Sequence, residues 1–353
     1  MNDMNITKSQ SIDFRKTGQE LIVIGDYYLD VDRIGSYVGK SREDSSLPIF
    51  QVEEEYLHLG GGGNLINNLY SLGATVNAVG ITSTPATHPY SWTLGELLCK
   101  ATKEAKMHHS STIPIPVFEK SFLTNGNHIW RTDLGFARHI SVDEYRIVGM
   151  YLYEIYKGHP NTPIIVADYE EYGDSVIGGS VKVDINSPLQ HQVKFGTSRN
   201  RIETFRNFNY LVMNEKELNS ACEVIDNITD MGIDKGAEIL AEHTNSKCII
   251  VTLGSEGVYF LDTTQDDIEY RRGFIKTKSL TNTRVDSCGC GDTFFAVFIL
   301  SICQGFTVKH SIELANIGAK ATLRKLFGTG SPITLEEMVL EHNASKDVED
   351  GSN

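Results

Sequence analysis

Residues 285–293, VDSCGCGDT, set a glycine-flanked turn directly before an apolar run, 294–303, that is typical of a buried helix. Gly289 and Gly291 permit unusual backbone dihedrals that expose N–H groups. The helix that follows directs its positive dipole end toward the same turn. The sequence therefore predicts a pocket for an anion, most often a phosphate, at the start of a buried helix.

Asp292 lies at the rim of that predicted pocket, where a bare carboxylate would repel a phosphate. A carboxylate is explained there if it takes a proton from a hydroxyl that attacks the phosphate. The alternative is that Asp292 only caps the helix, since Asp is favoured in a first turn. The segment lacks the Gly-Lys-Ser/Thr ending of a Walker A loop and the third glycine of a dinucleotide-binding turn. Phosphoryl transfer to an alcohol and helix capping both remain open on this segment alone.

The composition is that of a soluble globular protein. The 353 residues can form one large α/β domain or two small ones, and 40% of them are hydrophobic. The formal net charge of −14 argues against a nucleic-acid partner. The N-terminus lacks a signal pattern, and no apolar stretch is long enough to cross a bilayer. We therefore expect a cytoplasmic protein without a membrane partner.

The six cysteines are scattered along the chain, as reduced structural cysteines are. Cys288 and Cys290 form a C-x-C pair, which could be read as two metal ligands. Without a second pair or a nearby histidine cluster, that spacing is weak evidence for a metal.

Short apolar runs recur along the chain and favour buried parallel strands. They are residues 20–25, 74–80, 163–167, 180–184, 210–213 and 248–253. Helical patterns lie between them at 64–72, 94–105, 142–156, 215–222 and 235–243. This alternation predicts an α/β fold with a parallel sheet covered on both faces.

Two regions break that alternation. Residues 27–59 and 115–133 alternate apolar and polar side chains without helical periodicity, which predicts a small antiparallel sheet that stands off the main domain as a lid. A detached sheet with an apolar face covers a ligand or meets a partner copy. Residues 1–17 and 344–353 are polar tails, which leaves 18–343 for a single domain.

A second glycine cluster, residues 59–64 (LGGGGN), leads straight into a predicted helix that ends near Gly73. Its four consecutive glycines permit a ligand to lie against bare backbone, and the Asn64 amide can donate to and accept from hydroxyls. The alternative is a flexible loop in which Asn64 is the N-cap of the helix.

Both glycine clusters carry a family resemblance. Residues 61–64 (GGGN) with 72–73 (LG) resemble the first signature of the ribokinase-like (PfkB) carbohydrate kinases. Residues 286–292 (DSCGCGD) resemble the second signature, usually D-T-x-G-A-G-D. The resemblance covers about residues 18–335. It implies a ribokinase-like three-layer sandwich, in which a mostly parallel central sheet carries a small antiparallel β lid, and the activity of an ATP-dependent carbohydrate kinase.

Within that family the chain is most similar to the kinase domain of the D-glycero-β-D-manno-heptose-7-phosphate kinases of lipopolysaccharide precursor synthesis. The similar segments are 25–30, 45–63, 130–133, 168–169, 315–316 and 325–329. The resemblance implies phosphorylation of a heptose 7-phosphate to the 1,7-bisphosphate. That kinase domain is often fused to a nucleotidyltransferase domain, whose His-x-Gly-His-type motif this sequence lacks, so we expect any second activity to come from another protein.

The resemblance also implies roles at the phosphate site. Asp292 would be the catalytic base, and the anion hole would be formed by the backbone N–H groups of Gly289, Cys290 and Gly291. Cys290 stands where the family pattern has alanine, a change that backbone binding tolerates. The Asn214-x-x-Glu217 element would order Mg²⁺ and its waters, with a charged helix start as the alternative. The residues implied for the nucleotide are Asn214, Thr252, Gly254, Gly257 and Asn316, the last near the adenine, and an alkali cation such as K⁺ is common beside the anion hole in this family.

The acceptor would be held by a separate set of residues. The residues expected to hold sugar hydroxyls are Asp30, Gly62 and Asn64. Asp168 and Asp184 lie at the ends of predicted strands, where ligands of open α/β sheets gather. Arg131 suits bidentate contacts to a distal phosphate, with an ion pair to Asp133 as the alternative.

The lid would exclude water that competes for the γ-phosphate. Such lids often meet across a two-fold axis in the family, so a homodimer is expected. Three other functions remain open: a kinase of another sugar, a kinase of a nucleoside, and a non-catalytic sugar- or nucleotide-binding protein on the same fold.

Overall fold

The computed structural model describes residues 14, 18–135, 139–169, 173–187, 192–227, 232–267, 271–277, 288–325 and 332–350. The strands are β1 (Glu20–Gly25), β2 (Tyr27–Lys40), β3 (Pro48–Gly61), β4 (Thr75–Ser83), β5 (Glu104–Ser110), β6 (Val117–Leu123), β7 (His128–Leu134), β8 (Ile164–Asp168), β9 (Lys194–Ser198), β10 (Tyr210–Asn214), β11 (Cys248–Thr252), β12 (Gly257–Asp262) and β13 (Arg272–Lys276). The helices are α1 (Gly62–Ser71), α2 (Ser91–Ala101), α3 (Val142–Gly158), α4 (Gly179–Asn186), α5 (Glu215–Asp226), α6 (Ile233–Thr244), α7 (Cys290–Cys303), α8 (Val308–Thr322) and α9 (Leu335–Asp350).

The large sheet has the strand order β13-β12-β11-β10-β9-β8-β1-β4-β5. All neighbours from β11 to β5 pair in parallel, and β12 and β13 extend the sheet in antiparallel fashion. The chain runs outward from β1 to one side through β4 and β5, then to the other side from β8 onward. Ligands of such sheets bind at this switch point, beyond the carboxyl ends of the strands.

Helices cover both faces of the large sheet, and β1 shows how. Leu21 and Val23 belong to one buried apolar cluster together with α1 and α7, whereas Ile22 and Ile24 belong to a second cluster together with α3 and α5. Successive side chains of a strand point to opposite faces, so one continuous apolar run fills two cores. The predicted three-layer α/β fold is confirmed.

Helix α7 follows the turn with which the sequence analysis began. Residues 293–301 are buried, as expected for a helix that is apolar on every side. The start of the quoted segment, residues 285–287, lies outside the described residues. Neither α7 nor any other helix of the described ranges is long and apolar enough to cross a membrane.

A small sheet of order β3-β2-β6-β7 stands beside the large one. Its outer pairs, β2/β3 and β6/β7, are antiparallel as predicted, but the central pair β2/β6 is parallel. Strand β2 follows β1, and β6 follows β5, which runs parallel to β1 in the large sheet. Both strands leave that sheet from its carboxyl edge, and so they run in the same direction.

The prediction of a strand at 180–184 was wrong, because these residues lie in helix α4. Val181 and Ile185, four residues apart, are its buried positions, which is a helical spacing. The helix predicted at 94–105 ends at Ala101, and β5 begins at Glu104. Strands β9, β12 and β13 were not predicted, and α9 extends to Asp350, into the predicted C-terminal tail.

Candidate active site

Polar residues gather where the parallel strands end, at the switch point of the large sheet. A cavity of about 690 Å³ opens there. Its lining includes Tyr169 after β8, Arg199 after β9, Asn214 at the end of β10, Thr252 at the end of β11, and Gly289, Gly291 and Asp292 at the start of α7. The fold therefore brings the phosphate-type turn and the ends of four parallel strands to one cavity.

The N-terminus of α7 faces this cavity with its backbone donors. Gly289 is the N-cap, with φ of +78°, and no side chain caps the helix. The first N–H groups of a helix have no partner within the helix. Gly289 and Gly291 line the cavity, so the start of α7 can receive an anion there.

Asp292 does not cap α7, which contradicts the capping alternative. Its Oδ2 accepts a hydrogen bond from Nδ2 of Asn64 at 2.6 Å, and its Oδ1 accepts one from the hydroxyl of Tyr169. Burial raises the pKa of the carboxyl group, while these two donors and the nearby charge of Arg199 favour the ionised form. The side chain is thus held as an acceptor that faces the cavity.

Tyr169 is itself held by Asp26, a fully buried carboxylate that follows β1. Oδ2 of Asp26 accepts from the backbone N–H of Tyr169 at 3.2 Å and from the hydroxyl of Ser175 at 2.7 Å, and its Oδ1 accepts from the N–H of Val176 at 2.9 Å. The guanidinium of Arg199 lies 5.5 Å from the centroid of the Tyr169 ring. These contacts fix the segment that brings the phenol to Asp292.

The second glycine cluster contributes to the wall of a second, smaller cavity beside Asp292. Gly61 has φ of +56°, and a Cβ atom there would lie 2.8 Å from the carbonyl oxygen of Asp26, so the position requires glycine. Gly61 lines a smaller cavity of about 120 Å³, whereas Gly62 is buried and donates its N–H to the same Asp26 oxygen at 2.9 Å. Asn64 is buried inside α1, whose N-cap is Gly61, which contradicts the interpretation of Asn64 as the cap.

The smaller cavity lies between the small sheet and Asp292, and it collects charged side chains. Nζ of Lys120 lies 3.6 Å from Oδ1 of Asp30. Burial raises the pKa of Asp30 against the opposing effect of Lys120. Burial alone would lower the pKa of Lys120, but Asp30 and Cys288 hold it above its ordinary value. This cavity can accept a ligand that carries both hydroxyls and negative charge.

Arg131 lines both cavities, and its guanidinium lies 4.4 Å from the centroid of the Phe118 ring. The guanidinium also donates to Asp133, at 2.6 and 3.0 Å. The ion pair that was the alternative for Arg131 is therefore present. It does not remove Arg131 from the cavity wall.

Asn214 and Glu217 form a reciprocal cap at the start of α5. Oδ1 of Asn214 accepts from the N–H of Glu217 at 2.9 Å, and Oε2 of Glu217 accepts from the N–H of Asn214 at 2.8 Å. Both residues line the larger cavity, and burial raises the pKa of Glu217 to about 7. The helix-start alternative is thus present, with a carboxylate that also faces the cavity.

The donor set fits Mg²⁺ of the kind that keeps its waters. In the part of the chain that the structure describes, no group of three or more His, Cys, Asp or Glu side chains could hold a metal ion. Mg²⁺ is usually bound through one or two carboxylates together with substrate phosphates and water. Glu217, which lines the same cavity as the start of α7, meets that requirement.

Several predicted residues are not brought to this cavity. The carboxylate of Asp168 accepts from the hydroxyl of Ser198 at 2.6 Å and pairs with Arg201 at 2.7 Å, so it fixes the turn after β9. Asp184 lies on α4 and lines a separate cavity of about 510 Å³ between α3 and α4. Its expected position at a strand end was wrong because that strand is a helix.

Of the residues predicted to bind the nucleotide, some line the larger cavity and others do not. Thr252 lines the larger cavity and donates its hydroxyl to the carbonyl of Met213 at 3.3 Å. Gly254 lies in the connection from β11 to β12, Gly257 is the first residue of β12, and Asn316 lies half-buried on α8. These three do not belong to the described lining of either cavity.

Sequence reasoning missed the side chains that the tertiary structure adds to the site. They are Asp26, Lys120, Tyr169, Thr197, Arg199 and Asn200. Arg199 and Asn200 follow β9, a strand that was not predicted, so their position at a strand end could not be recognised. The signal for Lys120 was its position two residues from Phe118 and two from Phe122 in β6, which places it on the same face as these two rings.

Comparison with known proteins agrees with this geometry. Residues 192–334 match the model of the pfkB family carbohydrate kinases. The chain is 24% identical over 331 residues to the bifunctional protein HldE of Helicobacter acinonychis, covering 91% of this chain and 66% of that protein. It is 23% identical to HldE of Hydrogenovibrio crunogenus, covering 93% of this chain and 64% of that protein. The chain thus spans about two thirds of the length of these curated relatives.

The fold has close counterparts among solved structures. Phosphofructokinase-2 from Escherichia coli in complex with fructose-6-phosphate superimposes with a TM-score of 0.69 at 12% identity, over 92% of this chain and 99% of that one. Ribokinase from Thermotoga maritima superimposes with a TM-score of 0.62 at 14% identity, over 92% of this chain and 99% of that one. At such identities the likeness shows the ribokinase-like fold alone. Residues 192–334, which include Arg199, Asn214, Glu217 and Asp292, are thus similar to the pfkB family carbohydrate kinases.

Proposed function

We propose that this protein transfers the γ-phosphoryl group of Mg-ATP to a hydroxyl of a sugar phosphate, with Asp292 as the base. The observation that carries the proposal is the position of the Asp292 carboxylate. It stands in the first turn of α7 beside the backbone N–H groups of the helix start, yet its oxygens accept from Asn64 of α1 and from Tyr169, which follows β8, rather than from the helix. A group so placed can take a proton from a hydroxyl beside the phosphate.

The larger cavity suits the nucleotide phosphates. The N–H groups of Gly289, Cys290 and Gly291 would stabilise the charge on the transferred group, which is the main demand of phosphoryl transfer. Arg199 lies on the wall shared by the two cavities and supplies positive charge where donor and acceptor meet. Glu217 would hold Mg²⁺, which when bound neutralises negative charge on the phosphates.

The smaller cavity suits the acceptor. Asp30, whose carboxylate is buried, can accept from a sugar hydroxyl, and Gly61 permits close approach to the backbone. Lys120, Arg131 and Arg199 bring three cationic side chains to the same wall. Three cations around so small a cavity favour an acceptor that is itself phosphorylated.

We further infer that the acceptor is a heptose 7-phosphate, phosphorylated at its anomeric hydroxyl. This inference is supported by the motif resemblance and by the similarity to two HldE proteins over more than 90% of this chain. A K⁺ site beside the anion hole belongs to the same proposal, because a similar solved structure is phosphofructokinase-2 from Escherichia coli in complex with potassium.

The small sheet is proposed to pair with a second copy of the chain. Large apolar side chains are exposed on it or on its connection β2–β3. They are Tyr37, Val38, Leu47, Ile49, Val52, Tyr56, Trp130 and Leu134, each 37–67% exposed. A concentration of exposed apolar side chains marks an interaction surface.

The test is ADP release with Mg-ATP across a panel of sugars and sugar phosphates, for the natural protein and for Asp292→Asn. We expect turnover with a heptose 7-phosphate and a loss of roughly 10²- to 10⁴-fold in the variant, the usual contribution of a general base. A different best acceptor would contradict the heptose assignment and leave the base intact. Full activity of Asp292→Asn would contradict the assignment of the base.

A further inference from the structure

A row of buried polar side chains lies directly behind Asp292 and ends on it. Its members come from three helices: Asn64 and Asn68 of α1, Thr293 of α7 and Thr322 of α8. Each is 2% exposed or less. Burying a polar group is costly unless it is hydrogen-bonded, so the contacts within this row decide what it does.

The hydrogen bonds between the members of the row point toward Asp292, and the Thr322 hydroxyl at its far end has the carbonyl of Gly318 as a second acceptor at 3.2 Å. The Thr322 hydroxyl donates to Oγ1 of Thr293 at 3.0 Å, and the Thr293 hydroxyl donates to Oδ1 of Asn68 at 3.2 Å. Nδ2 of Asn68 donates to Asn64, at 2.9 Å to its carbonyl and 3.4 Å to its Oδ1. Nδ2 of Asn64 then donates to Asp292 at 2.6 Å.

A backbone group fixes this direction. The N–H of Ile333 donates to Oδ1 of Asn68 at 3.0 Å, and a backbone N–H can only donate. The oxygen of the Asn68 amide must therefore face Ile333, which turns the NH₂ group toward Asn64. Flipping the Asn68 amide would set donor against donor. The orientation of the Asn64 amide follows from that of Asn68.

We propose that Asn68 is a positioning residue for phosphoryl transfer, which acts through Asn64 to keep the Asp292 carboxylate oriented and ionised. The proposal rests on the proposed function, in which Asp292 is the base. Aligned hydrogen bonds polarise one another, and donation to a carboxylate favours its ionised form. The row thus opposes the effect of burial, which raises the pKa of Asp292 and so favours the protonated form that cannot accept a proton.

The experiment compares the pH dependence of kcat for the natural protein with Asn68→Leu and Thr293→Val. We expect the acid limb to move to higher pH by roughly one unit in Asn68→Leu, the effect of weakening one hydrogen bond to a charged group. Thr293→Val, which keeps the side-chain shape, should move it less and in the same direction. The KM for Mg-ATP should stay unchanged, because neither side chain lines the nucleotide cavity.

Asn77→Leu is the matched control. Asn77 is equally buried and donates to Glu20 at 3.1 Å. It lies near the amino end of β4, whereas the candidate site lies at the carboxyl ends of the parallel strands. Its loss should lower stability without moving the pH profile. If Asn68→Leu does not fold, the pH profile of Thr293→Val tests the positioning role by itself.

The variant Asp292→Asn distinguishes the proposed role of Asp292 as the base from the positioning role of Asn68. If Asp292→Asn is inactive while the folded Asn68 and Thr293 variants keep the natural pH profile, the positioning role is overturned and the proposed function stands. If Asp292→Asn keeps full turnover, the base is misassigned and the positioning role falls with it.

Discussion

The side-chain nitrogen of Asn64 lies 2.6 Å from Oδ2 of Asp292, although 228 residues separate them in the chain. Asn64 belongs to the glycine-rich start of α1, and Asp292 belongs to the first turn of α7. The two segments that the sequence analysis singled out are thus halves of one site. Their junction includes this hydrogen bond to the candidate base, so substitutions at it are expected to change the chemistry more than the stability.

Tyr169→Phe should raise the apparent pKa of Asp292. The phenol hydroxyl donates to Oδ1 of Asp292 and favours its ionised form. Without it, the acid limb of the kcat profile should move upward by roughly one pH unit, the effect of one hydrogen bond to a charged group. Steady-state rates from pH 5 to 9 measure the shift.

Tyr210→Phe is the control for that substitution, because Tyr210 begins β10 at the amino edge of the sheet, away from the site. Its profile should match that of the natural protein. Equal profiles for all three proteins would show that the Tyr169 hydroxyl does not act on the base.

The fold was predictable to the extent that its elements carry a local pattern. Strand β1 is apolar on both faces and closed by glycine, so its place in a parallel sheet followed from six residues. Residues 180–184 (SVKVD) alternate polar and apolar side chains, as a strand with one buried face does, but the packing of Val181 and Ile185 against α3 selects a helix there. Strand β9, with Lys194, Gly196 and Ser198, has too few apolar residues to give a strand signal.

The residues of the candidate site were likewise predictable only where a local sequence pattern marks them. The glycine turns and Asp292 were recognisable because their chemistry depends on local backbone geometry. Tyr169, which donates to Asp292, and Asn68, which accepts from Thr293, were not, since each contact joins residues more than 100 positions apart. Asp168 had the signal of a ligand at a strand end, yet its carboxylate is used by Ser198 and Arg201.

Glu217 should couple stability and Mg²⁺ binding to pH. Its pKa in the folded protein is about 7, against an ordinary value of 4.5, so between these values the folded state binds more protons than the unfolded state. The stabilisation from this group is complete below pH 4.5 and is lost as pH rises through 7. Mg²⁺ binds the ionised carboxylate, so it should raise the Tm more at pH 8 than at pH 5.5.

Thermal unfolding with and without MgCl₂ at both pH values measures this coupling. In Glu217→Gln the Mg²⁺-dependent rise in Tm should shrink at pH 8, and the difference between the two pH values should narrow. A rise in Tm that is the same in the variant would place the metal on other residues.

Gly257 and Gly254 should differ in their tolerance of a side chain. A Cβ on Gly257, whose φ is +144°, would lie 2.2 Å from the carbonyl oxygen of Ile275 in the paired strand β13. Gly254, with φ of +58°, has open space around it. Gly254→Ala should cost about 1 kcal/mol, the penalty of a left-handed conformation, and Gly257→Ala about 3 kcal/mol or more. Urea unfolding measures both, and equal losses would contradict the requirement of the β12–β13 pairing for glycine.

Charge on the edge strand of the small sheet should separate a homodimer. Strand β3 is 14 residues long and forms one edge of that sheet, where Ile49 and Val52 are 42% and 43% exposed. A long edge strand with exposed apolar side chains is prone to pair with another chain unless it is covered. If a second copy covers it, Ile49→Glu with Val52→Glu buries two carboxylates in the interface and should give a monomer. Light scattering at several concentrations measures this, with the exposed Val224 of α5 as the control position for glutamate. A natural protein that is already monomeric at these concentrations would contradict the pairing and leave the small sheet as a cover for the acceptor cavity alone.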